Sequence, residues 1–149
     1  MDALNPAMFI TATFINIFLV ALAVLIHYEF LSRLSHFPDN KPMKPRWRVL
    51  KGVVGALIAH TVEVWVFAAG YYLQLKNPGF GHMTGEFDGS FWDCVYFSFT
   101  TFSTLGFGDI EPHGLIRFLT GIESLTGLVL ITWSASFLFI KMQKYWHEE

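Results

Sequence analysis

The stretch Thr101-Phe-Ser-Thr-Leu-Gly-Phe-Gly-Asp109 sets a threonine ahead of two glycines on alternate positions. Glycine accepts the positive backbone torsions that an L-residue resists. Where such residues alternate, successive carbonyl oxygens can point to one side instead of to opposite sides as in a strand. A short segment of this kind can turn its backbone oxygens on a bare cation and stand in for the water around it. A Gly-Phe-Gly triplet by itself is equally a turn or a helix-packing motif. Here Thr101 and Thr104 precede it and Asp109 and Pro112 follow it, which narrows the reading to cation coordination.

Ionisable residues inside apolar runs are the second chemical signal. Glu63 and Glu123 both stand within such runs. A charged side chain at a helix centre costs about 3 kcal/mol on insertion scales, so each carboxylate is expected to face protein or water and to hold a partner. His60 lies one turn from Glu63 on the same helical face. Two roles fit His60, Glu63 and Glu123: a structural brace between helices, or a proton sensor that governs gating. Thr100, Thr101 and Ser103 offer hydroxyls at a similar depth. His60-Thr-Val-Glu63 also holds two metal-ligand types, but without a third nearby in sequence they make no zinc site, and the His-Glu-x-x-His motif is absent. There is no nucleophile elbow or phosphate loop, so an enzyme is not expected.

These residues need elements to position them. The 149 residues are 53% hydrophobic and 17% aromatic. Their mean hydropathy is +0.43. That is more apolar surface than a small soluble core buries, which points to a membrane solvent. A net charge of -2 gives no reason to expect nucleic acid, and the lone Cys94 excludes an intrachain disulfide. Met8 to Phe30, Val53 to Leu73 and Leu115 to Ile140 are apolar runs, each long enough at about 1.5 Å per residue to cross a bilayer as a helix. Phe91 to Phe102 is shorter and suits a re-entrant segment. The first run lacks the basic start and small-residue cleavage site of a signal peptide and is expected to be a retained helix. Ser90, with Asp93 three residues on, is a relative of the capping box and predicts a helix start at Phe91. The negative end of that helix dipole would favour a cation beside residue 104.

Arg33, Lys41, Lys44, Arg46, Arg48 and Lys51 lie between or beside the first two runs, and Lys141 and Lys144 follow the third. The positive-inside tendency then puts this loop and the C-terminus in the cytoplasm and the N-terminus outside. The linker from Ser35 to Arg46 is interrupted by prolines and cannot continue a helix. Its basic residues offer a contact for anionic lipid, although such loops usually serve as topology signals alone. The re-entrant segment would open to the outer face, where Glu86, Asp88, Asp93, Asp109 and Glu111 form an acidic mouth that concentrates cations. No run carries the arginine ladder of a voltage sensor.

Thr104-Leu-Gly-Phe-Gly-Asp109 resembles the selectivity filter of the potassium channel family, whose usual signature is Thr-Val-Gly-Tyr-Gly-Asp; Leu105 replaces the valine and Phe107 the tyrosine. The resemblance covers the last two-thirds of the chain. It implies an all-α membrane protein with three transmembrane helices, a re-entrant pore helix and a filter loop. Residues 49–149 would form the pore domain: outer helix at about 49–74, turret 75–90, pore helix 91–103, filter 104–109 and inner helix at about 114–143. Residues 1–48, the first helix and the basic linker, are additional to that pattern. The resemblance further implies that Thr104, Leu105, Gly106, Phe107 and Gly108 coordinate K+ as the permeating ligand, with no other cofactor and with the Thr104 hydroxyl at the innermost position. One segment supplies too few oxygens to replace a hydration shell, so a homotetramer in the lipid bilayer is implied as well. The expected location is a prokaryotic inner membrane.

Tyr96 and Phe97 stand where the family often has two tryptophans around the filter, and with Ser103 and Asp109 they are its expected support. Tyr96 either bonds to Asp109 or packs without a specific bond. Phe107 lacks the hydroxyl that ties the family's usual tyrosine to this cuff, which leaves the degree of selectivity open. Gly127 falls where the family often has a hinge; a mid-helix glycine costs about 1 kcal/mol relative to alanine and so has a reason, and a close helix contact explains it equally. Leu128, Ile131 and Ala135 share one helical stripe and are the expected pore lining. Passive K+ conduction is the implied function. A weakly selective monovalent cation channel and a non-conducting pore-like subunit are the alternatives.

Overall fold

The computed structural model describes residues 6–35 and 45–146. The chain runs through α1 (Pro6–Ser35), α2 (Pro45–Leu75), a 3-10 turn at Pro78–Phe80, β1 (Gly81–Gly85), α3 (Phe91–Phe102), β2 (Ile110–Gly114) and α4 (Ile116–Trp146). The helices α1, α2 and α4 are long and apolar enough to cross a membrane. At 12 residues α3 is too short to do so. Helices dominate, as expected. Most of the basic linker, and with it the expected lipid contact, lies outside the described residues.

Helix α2 is central: α1, α3 and α4 all pack against it. One apolar cluster joins Leu19 and Ala23 of α1, Phe67 and Tyr71 of α2, Phe97 and Phe102 of α3, and Leu119 and Leu130 of α4. The additional helix α1 therefore shares the core of the rest. Its buried positions, Ala12, Asn16, Leu19, Ala23, His27 and Leu31, recur every three or four residues and form one stripe. Two of them are polar, and Asn16 accepts a hydrogen bond from Gln74 of α2 at 3.2 Å. The outward faces carry Phe14, Phe18, Leu25, Leu57, Ile58 and Leu125, all exposed. A run of exposed apolar side chains on every long helix suits hydrocarbon and not water.

A two-stranded antiparallel ribbon within the described residues adds to the expected helices. Its register runs from Gly81 opposite Gly114 to Gly85 opposite Ile110. The Glu86 amide extends it by donating to the Asp109 carbonyl at 2.9 Å. β1 precedes α3 and β2 follows the glycine loop, so residues 86–109 leave and return at one place. A re-entrant segment requires that closure. Pro112 sits opposite Met83, and a ribbon of two strands has open edges on which a missing N–H is tolerated.

Helix α3 starts as its sequence predicts: Ser90 Oγ accepts from the Asp93 amide at 3.1 Å. It ends at Phe102, with Ser103 as its cap. There α4 crosses it at Gly127, where an added Cβ would lie 2.1 Å from the Phe102 carbonyl oxygen. Close contact between α4 and the backbone of α3 thus gives this glycine its reason, and a hinge is not needed to explain it. Gly127→Ala is expected to push α4 off α3 and to destabilise the protein by about 1 to 3 kcal/mol, read as a lower Tm in detergent. An unchanged Tm would mean that the contact yields without cost.

Candidate functional site

The end of α3 catches the chain as it turns. The Thr104 amide donates to the Thr101 carbonyl at 2.9 Å, and the amides of Leu105 and Gly106 both donate to the Thr100 carbonyl, at 2.9 and 3.1 Å. In a trans peptide the C=O points opposite to the N–H, and no peptide bond among the described residues is cis. The carbonyls of Ser103, Thr104 and Leu105 are therefore turned away from α3. Beyond them, Thr104, Gly106 and Gly108 take φ of 60°, 50° and 80°, while Leu105 and Phe107 stay out of the positive region. This alternation is what the spacing of the glycines predicts. Thr104 is the one non-glycine residue at positive φ among those described. A β-branched residue held there stores strain on the order of 1 to 3 kcal/mol, as backbones at ligand sites often do. Residues 103–108 are all exposed within the single chain.

Of the expected supports, Tyr96 and Asp109 meet: the phenol donates to Asp109 Oδ2 at 2.6 Å. That hydrogen bond holds the Tyr96 hydroxyl above its ordinary range. Phe97 is placed elsewhere, buried edge-to-face against Tyr71 of α2 with centroids 5.1 Å apart. Neighbours on a helix are about 100° apart, so Tyr96 and Phe97 cannot both face the loop. Ser103 donates to the Phe99 carbonyl at 2.7 Å and closes the end of α3.

The two buried carboxylates form separate clusters. Glu63 Oε2 lies 2.9 Å from Nδ1 of His60, the pair expected from their spacing. Its Oε1 lies 2.8 Å from Nδ1 of His27, a residue of α1 that sequence reasoning missed. Glu123 accepts from the hydroxyls of Tyr71 and Ser98, each at 2.5 Å. Ser98 also lies 2.9 Å from the Val64 carbonyl, so its single proton is shared between two acceptors. Sequence reasoning looked for this hydroxyl at Thr100, Thr101 or Ser103. Instead, Thr100 and Ser103 turn back on carbonyls of their own helix, and the contact falls to Ser98. One signal for His27 was readable: it stands eleven residues after Asn16, three turns on and on one stripe of an otherwise apolar helix.

A family model described as "Ion channel" matches residues 59–144, more than half of the chain. The chain belongs to the ion channel family. The match takes in α3, the loop and nearly all of α4, begins within α2, and leaves α1 outside. Over 103 residues the chain is 28% identical to "Calcium-activated potassium channel slowpoke" of Drosophila melanogaster, covering 68% of this chain and 9% of that protein. Over 96 residues it is 33% identical to "Uncharacterized membrane protein YdjJ" of Bacillus subtilis (strain 168), covering 61% of this chain and 28% of that protein. These alignments span less than a third of either relative. No solved structure matches the chain.

In this ion channel family member, Leu128, Ile131 and Ala135 are all exposed. Each stands one residue after a buried position, Gly127, Leu130 and Ser134, so the stripe is turned off the chain's own core. On the loop ahead of α3, the Ser90 amide donates to Asp88 Oδ1 at 2.7 Å. That bond and the Ser90 hydroxyl hold the Asp88 carboxyl below its ordinary range, which keeps this loop carboxylate charged.

Two outcomes are expected. Glu123→Leu leaves the Tyr71 hydroxyl to Thr120, at 3.4 Å, while Ser98 keeps the Val64 carbonyl, and costs about 1 to 3 kcal/mol; Glu123→Gln retains an acceptor and a donor and is expected to lose less. Thermal unfolding in detergent compares them, and equal losses would assign the role to charge instead of hydrogen bonding. The raised Tyr96 phenol means that its bond to Asp109 persists below the ordinary phenol range and is lost as pH rises through the raised value. Phenolate absorbance in the parent and Asp109→Asn measures this, with the variant expected to ionise at lower pH.

Proposed function

We propose that the protein is a potassium-selective channel that conducts K+ passively through a homotetrameric pore whose ion sites are the backbone oxygens of Thr104 to Gly108. The observation that carries the reading is the loop after α3: its first amides are spent on the Thr100 and Thr101 carbonyls, which turns the carbonyls of Ser103, Thr104 and Leu105 away from α3, and positive φ recurs at Thr104, Gly106 and Gly108. Four such loops would supply stacked rings of oxygens able to replace a hydration shell, with the Thr104 hydroxyl innermost and Leu105, Gly106 and Phe107 above. Asp109, tied to Tyr96, would steady the outer end. The C-terminus of α3 would add negative potential at the inner end. Leu128, Ile131 and Ala135 would line the path below. The printed name of the Drosophila relative, a potassium channel, supports the choice of ion.

The basic residues around the linker support a cytoplasmic C-terminus and an N-terminus outside, so the acidic residues around the loop would face outward; the membrane we assign is a prokaryotic inner membrane. No bond is made or broken in this function, so no catalytic residue is assigned. One observation favours a second reading, a weakly selective cation channel: Phe107 has no hydroxyl to brace the loop as a tyrosine would.

Purified protein in liposomes is expected to pass K+ at least about tenfold faster than Na+, a difference of about 1.4 kcal/mol. A ratio near one with flux intact would establish the weakly selective reading, and no flux of either ion would make the protein a non-conducting subunit. Gly106→Ala places a side chain at a φ of 50°, where an L-residue pays about 1 to 2 kcal/mol. It is expected to abolish K+ flux or its preference over Na+ while the protein still inserts.

A further inference from the structure

His60 and Glu63 lack a third ligand in the sequence, and the fold supplies one. His27 of α1 brings its Nδ1 to 2.8 Å from Glu63 Oε1, while His60 Nδ1 lies 2.9 Å from Oε2. One ligand atom from each of the three residues lies within 4.8 Å of the others. A first-row metal with bonds of about 2.0 to 2.2 Å holds its ligand atoms about 3 to 4 Å apart. Small ring rotations would bring these three into that range.

We infer that His27, His60 and Glu63 form a buried binding site for a divalent transition metal of the Zn2+ type, which ties α1 to α2. Two imidazoles and a carboxylate make a borderline ligand set suited to zinc and its neighbours and unsuited to Mg2+ or Ca2+. The surroundings match what such a site needs. A metal-bound histidine is normally oriented by a contact at its second ring nitrogen, and Nε2 of His27 faces Ser134 Oγ of α4 at 3.4 Å. The two rings stack with centroids 5.3 Å apart. Trp133 flanks His27 at 5.2 Å and Phe102 flanks His60 at 5.7 Å, while His60 stays partly exposed, which leaves room for a water to complete four-coordination. His27 and Glu63 are fully buried, and a divalent cation would balance a carboxylate held at this depth. The site joins α1, which lies outside the family match, to a helix that packs on α3 and α4. Its role is structural and does not depend on which ion the pore passes.

The test uses the full chain without a histidine tag. After dialysis against trace Zn2+, elemental analysis is expected to find about one Zn2+ per chain, and Co2+ substitution is expected to give the visible bands of a low-coordinate site. His27→Ala and Glu63→Gln should each lose the metal, and Ser134→Ala should weaken it at least about tenfold. Glu63→Gln keeps hydrogen-bonding capacity, so loss of metal in a variant that still folds by circular dichroism separates ligation from bracing. A strong chelator should lower the Tm of the parent and leave Glu63→Gln unmoved. Metal content far below one per chain with no Co2+ spectrum in a folded parent, or full metal retention in Glu63→Gln, would overturn the site and leave the cluster a hydrogen-bonded brace.

Discussion

The Thr100 carbonyl accepting from both Leu105 and Gly106 is the interaction on which the rest of this structure depends. Non-helical backbone at membrane depth is tolerated only where its polar groups are buried in protein or face a water-filled space. The last turn of α3 has carbonyls without helical partners, and the loop has amides without helical acceptors. Each supplies what the other lacks. Once the amides are spent on α3, the geometry of the peptide unit sends the carbonyls the other way. The loop's exposed oxygens therefore follow from how the helix ends.

That arrangement needs α3 held at fixed depth and angle, and the surrounding elements do so. The β1–β2 ribbon pins both ends of the excursion. The close pass of α4 at Gly127 sets the distance from the C-terminal end of α3. Ser98, between the Val64 carbonyl and Glu123, links α3 to α2 and α4 in one contact. Tyr71 reaches the same carboxylate from α2. A few directional bonds serve better than added apolar area here, because lipid competes equally for apolar side chains and packing alone would leave α3 free to slide.

What could be read in the sequence was what is local in the chain. The glycine alternation, the Ser90 cap and the His60–Glu63 spacing depend on residues within a turn or two of one another, and each appears where expected. The Tyr96–Asp109 bond was one of two open readings, because it depends on how the loop folds back. What escaped depends on rotation and distance. Ser98 and Thr101 differ by less than one turn, yet only the rotation of α3 against α2 and α4 decides which one meets Glu123. The ribbon pairs residues far apart in sequence through short segments bounded by glycine and containing Pro112, which carry no strand signal. His27 was visible as a polar residue in an apolar helix, but its partner sits on another helix across a linker.

Helix α1 lies outside the family match, yet it cannot be treated as an appendage. Its stripe covers the face of α2 that carries Glu63, and His27 supplies one of the two imidazoles on that carboxylate. Without α1, Glu63 would lie open to lipid with His60 alone, and an intramembrane charge in that position costs about 2.5 to 3.5 kcal/mol on insertion scales. The dependence runs both ways. His27 and Asn16 are polar groups in a helix that must cross a bilayer, and their partners, Glu63 and Gln74, stand on α2. Each helix therefore makes the other's polar residues tolerable, and the apolar cluster they share is continuous with the packing behind α3. A change in how α1 sits on α2 must pass through the same helix that Ser98 anchors to. By way of α2 and α3, α1 is thus linked to the loop at the chain's candidate ion site.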